Sequence, residues 1–263
     1  MRGGTTSSTY TATSQANTFT TSGLLGGDSV TGVSGLGAGT QVGSYADTLG
    51  NATGTGLGNY TISYVNGSLR VTPAVLTITG ATTSSTYTAT SQVNTFTTSG
   101  LLGGDSVIGV SGQGRGTNAG TYADTLADAT GTGPGNYTIS YVNGSLRITP
   151  ATLTITAGDA QRLVNAPNPP LTAIYAGFVG GETPANLKGT LSFSTSATVA
   201  SPPGAYSVTP SGQTSSNYAI RYVDGVLRVT RSSVEPGALP GGYSPQAPGS
   251  HLHRRAGRGA SVA

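Results

Sequence analysis

Read for alternation, residues 59–72 (NYTISYVNGSLRVT) carry large apolar side chains at every second position on either side of an Asn-Gly pair. Tyr60, Ile62, Tyr64, Leu69 and Val71 fall on one face, and Thr61, Ser63, Ser68, Arg70 and Thr72 on the other. That is the period of a half-buried strand. Asn-Gly between two such runs is the preferred two-residue hairpin turn, because both central positions take positive φ. The pattern predicts an antiparallel hairpin turning at Asn66 and Gly67, with Tyr64 opposite Leu69 and Ile62 opposite Val71. It recurs around Asn143 and Gly144, and a third time around Asp224 and Gly225. In the third hairpin the same register sets Arg221 opposite Arg228. Such a pair costs a few tenths of a kcal/mol, ~0.2–1, when no anion lies between, and two splayed, solvated guanidinium groups are the expected outcome.

The recurrence extends well beyond the hairpins. Residues 5–79 and 82–156 align without a gap and differ at 12 of 75 positions, and a diverged third copy occupies 151–230. Two further signatures recur in all three. One is Gly-apolar-apolar-Gly-Gly-acid at 23–28, 100–105 and 177–182; the other is Gly-x-Tyr at 43–45, 120–122 and 204–206. Repetition of whole supersecondary units is the mark of a modular array. The predicted units are 1–73, 74–150 and 151–230, followed by a disordered basic tail at 231–263. Six or seven short strands per unit suit a small β-sandwich, with a β-grasp-like unit carrying one short helix as the alternative. Pro73 and Pro150 interrupt the ladder between units and stiffen the joins. The segment before the second copy is strand-like at 74–79, whereas the first has only residues 1–4 in that place, so an unpaired sheet edge is expected in unit 1.

Composition supports the all-β reading. Threonine, which favours strands, supplies 43 residues and glycine 42, while charged residues make up only 8%. The net charge of +3 resides entirely in the tail, since residues 1–230 hold eight acids and eight bases. No folded face is therefore a basic stripe of the kind that binds nucleic acid. No apolar run reaches the ~20 residues of a membrane span, and the opening MRGGTTSSTY has no signal-peptide core.

Candidate chemistry is sparse, and no cofactor, metal or catalytic residue is expected. There is no cysteine, and both histidines, His251 and His253, fall in the tail. No Ser-His-Asp set can form within a repeat. Asp28 and Asp105 stand in glycine turns without the several oxygen ligands calcium takes and read as turn residues. Lys188 is the only lysine, which denies the first two units a Lys–Asn cross-link. Sequons at Asn51, Asn59, Asn66, Asn136 and Asn143 are candidate glycosylation positions. The copies differ at scattered positions, and the stretch holding Leu36 and Ala38, with Gln113 and Arg115 at the matching places, is the best candidate for a variable loop.

Unit 3 carries the string TLTITAGDAQRLVNAPNPPLTAIYAGFVGGETPANLKGTLSFST, the run Pro167-Asn168-Pro169-Pro170-Leu171, the 177–182 turn and the closing NYAIRYVDGVLRVT. On these it resembles the MBG domain, a mostly-β, glycine-rich repeat. Units 1 and 2, through NTFTTSGLLGGDSV and NYTISYVNGSLRVTPAVLTIT, are similar to related units that often precede it. The resemblance implies a segment of a filamentous-haemagglutinin-like bacterial adhesin, cell-surface or secreted. Three roles are open to such a segment: a non-catalytic stalk, a module binding host glycan or protein, or a non-functional gene fragment. The partners implied are neighbouring β-repeats of a larger parent chain.

Overall fold

The computed structural model describes residues 1–232; the tail prediction and both histidines lie outside them. The described residues are all-β, in three tandem units. The helical turns among them are three single 3-10 segments, Leu57–Asn59, Pro134–Asn136 and Pro184–Asn186. The packed helix of the β-grasp alternative does not form among these residues.

Each unit is organised by two long strands lying side by side and parallel. In unit 2, Ala74–Gly80 pairs with Tyr137–Val142, and Thr82–Thr86 continues on to pair with Ser145–Thr149 at the same offset. Phe96–Ser99 flanks the first half antiparallel to Ala74–Gly80, giving a proximal sheet. Gly120–Ala123 flanks the second half antiparallel to Ser145–Thr149, giving a distal sheet. Unit 3 repeats the plan. Its proximal sheet is Ala173–Ala176, Ala151–Ala157 and Tyr218–Val223; its distal sheet is Ala160–Leu163, Gly225–Thr230, Gly204–Ser211 and Ser192–Ser194. In unit 1 the distal sheet is complete, with Thr5–Thr9, Ser68–Thr72 and Gly43–Ala46. Its proximal sheet shrinks to Arg2–Gly3 against Phe19–Thr20 and a bridge from Arg2 to Val65.

This arrangement corrects the hairpin expectation. Asn66-Gly67, Asn143-Gly144 and Asp224-Gly225 do not reverse the chain. They mark the place where both parallel strands pass from the proximal to the distal sheet. Leu69 pairs with Thr6 and Tyr45 rather than Tyr64. Arg221 lies beside Thr154, and Arg228 beside Gln161 and Ala205, so the two arginines do not oppose each other. Nor do the three glycines take positive φ. Their small size serves close approach instead: a Cβ on Gly144 would lie 2.1 Å from the Ala81 carbonyl oxygen, and one on Gly225 2.4 Å from that of Ala157. The physical reason is burial. A closed hairpin would commit Tyr137, Ile139, Leu146 and Ile148 to one core, whereas the straight passage serves two.

Those cores straddle the repeat boundaries. Leu69 and Val71 of the unit 1 distal sheet pack with Ala74, Leu76, Ile78 and Tyr137 of the unit 2 proximal sheet. Leu146 and Ile148 pack in the same way with Ala151, Leu153, Ile155 and Tyr218. Leu76, Ile78, Leu153 and Ile155 are each 0% exposed, and burial of such side chains stabilises by ~1.5–3 kcal/mol apiece. Each sandwich is thus built from one unit's distal sheet and the next unit's proximal sheet. The alternation in Ala74–Gly80, inward at 74, 76, 78 and 80, makes this possible directly after the Pro73 break.

Candidate functional site: the junction between units

Polar side chains of two successive units converge at the unit boundaries. Tyr10 follows strand Thr5–Thr9, its N–H donating to the Thr72 carbonyl at 2.8 Å. Its ring meets that of Tyr137 edge-on, with centroids 5.5 Å apart and planes at 81°. Both hydroxyls donate to the same oxygen, Asp105 Oδ2, at 2.8 and 2.7 Å. The Tyr137 hydroxyl also accepts from the Leu102 N–H at 2.9 Å. Asp105 is presented by the Gly-Leu-Leu-Gly-Gly-Asp turn, closed by its own N–H to the Leu102 carbonyl at 3.1 Å. Gly133 (φ 77°) crowds the carboxylate, for a Cβ there would lie 2.2 Å from Asp105 Oδ1. Burial, then the hydrogen bond to Asp105, pushes the Tyr137 phenol up to about 12. The Tyr10 phenol is raised as well, first by its bond to Asp105 and then by burial.

Beside this cluster the buried Asn136 crosses the boundary, its Oδ1 accepting from the Val42 N–H at 3.0 Å and its Nδ2 donating to Gln41 Oε1 at 2.5 Å. Ala12, held at φ 62°, fits against Gly103, where a Cβ would come within 2.6 Å of its own. The second boundary repeats the set with different letters. Tyr87 and Tyr218 meet at 5.5 Å and 85° and both donate to the Glu182 carboxylate. Asn217 accepts from the Ala119 N–H at 2.9 Å and donates to Asn118 at 3.0 Å, and Ala89 fits against Gly180. Burial and the bond to Glu182 push Tyr87 up to about 12. A shared carboxylate between two phenols binds and orients two protein surfaces.

Unit 1 shows the same proximal residues facing solvent. Tyr60 donates to Asp28 Oδ2 at 2.8 Å and accepts from the Leu25 N–H at 2.9 Å. Leu25 is 74% exposed, and Asn59, at the place of Asn136, is exposed too. An open groove of about 130 Å³ runs between Thr21–Ser22 and Thr61–Ser63. It lies where units 2 and 3 hold Ala74–Gly80 and Ala151–Ala157 between their flanking strands.

The residues singled out in sequence lie away from the junction. Asn66 and Asn143 each accept, through Oδ1, the N–H of Leu49 and Leu126 at 2.9 Å. Asp224 accepts from the Ser207 hydroxyl at 2.6 Å. Together with Gly67, Gly144 and Gly225 they hold the passage between sheets. Ala38 and Arg115 are exposed on the two-residue strands Ala38–Gly39 and Arg115–Gly116, with Leu36 and Gln113 partly buried beside them. The Gln113 amide donates to the Asn94 carbonyl at 2.6 Å. Of the sequons, Asn136 is sealed in the boundary, 5% exposed.

Sequence reasoning missed one pair altogether. Buried Asn17 donates to both oxygens of buried Asp47, at 3.0 and 2.9 Å, and Asn94 does the same to Asp124, at 3.1 and 2.9 Å. Burial works to raise the Asp47 carboxyl, but donors from Gly37, Asn17 and Gly67 outweigh it and hold the carboxyl below its usual range. A signal was present. By strand register, Gly80, Asn94 and Asp124 correspond to Ala157, Leu171 and Val208 in unit 3, so a polar set becomes apolar as a group. Val208 and Ala157 are indeed buried together there, with Leu171 packed on them.

A family model described as MBG domain (YGX type) matches residues 4–70, 76–147 and 153–228. No curated protein matches the chain. Among solved structures, the crystal structure of Drosophila N-cadherin EC1-3 is similar at 12% identity over 64% of this chain and 73% of that one. Its TM-score of 0.20 is too low to bear on the fold.

Proposed function

The chain belongs to the MBG domain family of the YGX type, and from that premise we propose that it is a non-catalytic spacer, a stalk segment of a bacterial surface or secreted adhesin of the filamentous-haemagglutinin-like kind. The observation that carries this reading is the placement of the cores across the boundaries. A unit cannot swing on its neighbour without breaking a shared apolar core and a two-tyrosine carboxylate bond. Repeats coupled in this way add length while keeping a fixed direction. Pro73 and Pro150 stiffen the same joins. Threonine-rich strands and the absence of cysteine suit an exported protein that needs no disulfides.

Small-angle scattering of the full chain, read beside its thermal unfolding, tests the reading. Units of roughly 30 Å each give a rod about 90 Å long with one steep transition shared by all three. A compact globule, or an expanded chain melting without cooperativity, refutes it.

A further inference from the structure

The two ends of the array are built differently, and the difference lies in side chains. At the proximal end, unit 1 presents every acceptor that units 2 and 3 use at their boundaries. Asp28 stands for Asp105 and Glu182, Tyr60 for Tyr137 and Tyr218, and Asn59 for Asn136 and Asn217. The glycines agree. Gly23 and Gly26 have nothing within 4 Å of a notional Cβ. Their counterparts do: Gly100 faces the Val75 carbonyl at 2.4 Å, and Gly103 faces the Ala12 methyl of the preceding unit at 2.6 Å. Of the two, Gly26 is the one whose counterpart meets a preceding unit; Gly100 meets the strand Ala74–Gly80 of its own unit.

At the distal end, unit 3 has lost each polar group that units 1 and 2 extend across the boundary, the donating phenol and N–H and the accepting side-chain amide oxygen. The N–H that follows its distal strand belongs to Val164, which donates to the Thr230 carbonyl at 3.0 Å as Tyr10 and Tyr87 donate to Thr72 and Thr149. The tyrosine is thus replaced by valine. Tyr206 donates to the Pro202 carbonyl as Tyr45 does to Gln41 and Tyr122 to Asn118, which fixes the next correspondence. Where units 1 and 2 offer a side-chain amide and then an N–H, at Gln41-Val42 and Asn118-Ala119, unit 3 has Pro202-Pro203, which can supply neither. In the place of Ser8 and Ser85, Arg162 is 6% exposed. It donates to Asn168 Oδ1 at 2.7 Å and to the Thr198 carbonyl, while Asn168 donates to the Ala197 carbonyl at 2.8 Å. The unit fastens its own loops to its strand Ala160–Leu163.

We propose that the array is polar: the proximal face of unit 1 accepts the distal end of another repeat unit of this kind, and the distal face of unit 3 accepts none and acts as a cap. The occupant is a unit bearing a Tyr-x-Ala corner, whose phenol donates to Asp28 and whose alanine seats on Gly26. The segment leading from that unit into unit 1, of the Ala-x-Leu class found at Ala74–Gly80, fills the groove beside Thr61–Ser63. Terminal repeats with altered, polar outer faces are what keeps a one-dimensional array soluble. The inference rests on the stalk reading only in taking the units as an array.

Two extended chains test it. In one, residues 1–77 are placed before Met1 of the full chain, so that Met1 stands where Ile78 stands; in the other, residues 74–150 are inserted after Thr230. Hydrogen exchange of the Leu25 amide is compared with that of Leu102. The expected result is at least tenfold slower exchange of the original Leu25 amide in the first chain, approaching Leu102, and reversal by Asp28→Asn at that junction. In the second chain the amides of Val164 and Thr198 should exchange within twofold of their original rates. The proposal is overturned by unchanged Leu25 exchange, by a prefixed unit that stays unfolded, or by equal protection gained at the distal end. Scattering of the unextended chain reads the stalk proposal separately, so either can fail alone.

Discussion

Asp124→Val is a perturbation that unit 3 has already accommodated, and its cost in unit 2 follows from the donors it strands. Asp124 accepts from both the Asn94 amide and two backbone groups, Gly114 N–H at 2.7 Å and Gly144 N–H at 3.0 Å. Each buried donor left without a partner costs ~1–3 kcal/mol. Against this stand the relief of no longer burying a carboxylate and the packing of the new side chain. Asn94 keeps a second acceptor, the Ala81 carbonyl at 2.6 Å, so the two stranded backbone N–H groups set the expected loss, about 2–4 kcal/mol. Gly80→Ala alone should also fail, because its Cβ would lie 2.0 Å from Asp124 Oδ2. Asn94→Leu, Asp124→Val and Gly80→Ala together install the Leu171, Val208 and Ala157 set, in which Val208 is 0% exposed. The triple variant should recover at least ~2 kcal/mol relative to the sum of its single changes, a coupling within the range for residues in contact. Urea unfolding of the full chain and the four variants measures this. Additive costs, or a loss below ~1 kcal/mol for Asp124→Val, would refute the reasoning that these donors depend on the carboxylate.

Three further expectations concern pH and close packing. The folded Asp47 carboxyl is held below its unfolded value of ~3.9, so its contribution is present above pH ~4 and is lost as pH falls through the folded value. Asp47→Asn should flatten that acid limb of a stability–pH curve, and an unchanged limb counts against it. The Tyr87 and Tyr137 phenols, pushed up to about 12, favour the neutral form. Their contribution is present below the unfolded value of ~10 and should fade between pH 10 and 12, with ultraviolet titration showing a late group of phenols, Tyr87 and Tyr137 among them with the raised Tyr10, Tyr175 and Tyr218, that ionise normally once the chain is unfolded in urea. Gly144→Ala, whose Cβ would lie 2.1 and 2.4 Å from two carbonyl oxygens, should cost about 2–3 kcal/mol, at the upper end of ordinary single changes, against under ~1 kcal/mol for Gly135→Ala, which has open space. Equal costs at the two glycines, read from urea midpoints, would remove the close-approach account.

The amino-acid sequence by itself determined the class and the count: threonine-rich alternation made strands, and near-identity of 5–79 with 82–156 made repeats. It also marked the right letters, since Tyr60, Tyr137 and Tyr218, the acid after Gly-Gly, and the Asn-Gly pairs all matter. It did not show what those letters meet. Asn-Gly reads as a tight turn because local pattern carries only local conformation, yet glycine answers equally to positive φ and to a carbonyl 2.1 Å from its missing Cβ. Which strand becomes a neighbour is decided by burial summed over residues far apart, and Ala74 beside Tyr137 is such a choice. Asp105 looked like a turn residue because its two phenols come from Tyr10 and Tyr137, in different units. Only the tertiary structure, by setting one unit's distal sheet against the next unit's proximal sheet, turned a repeated sequence into a set of shared cores.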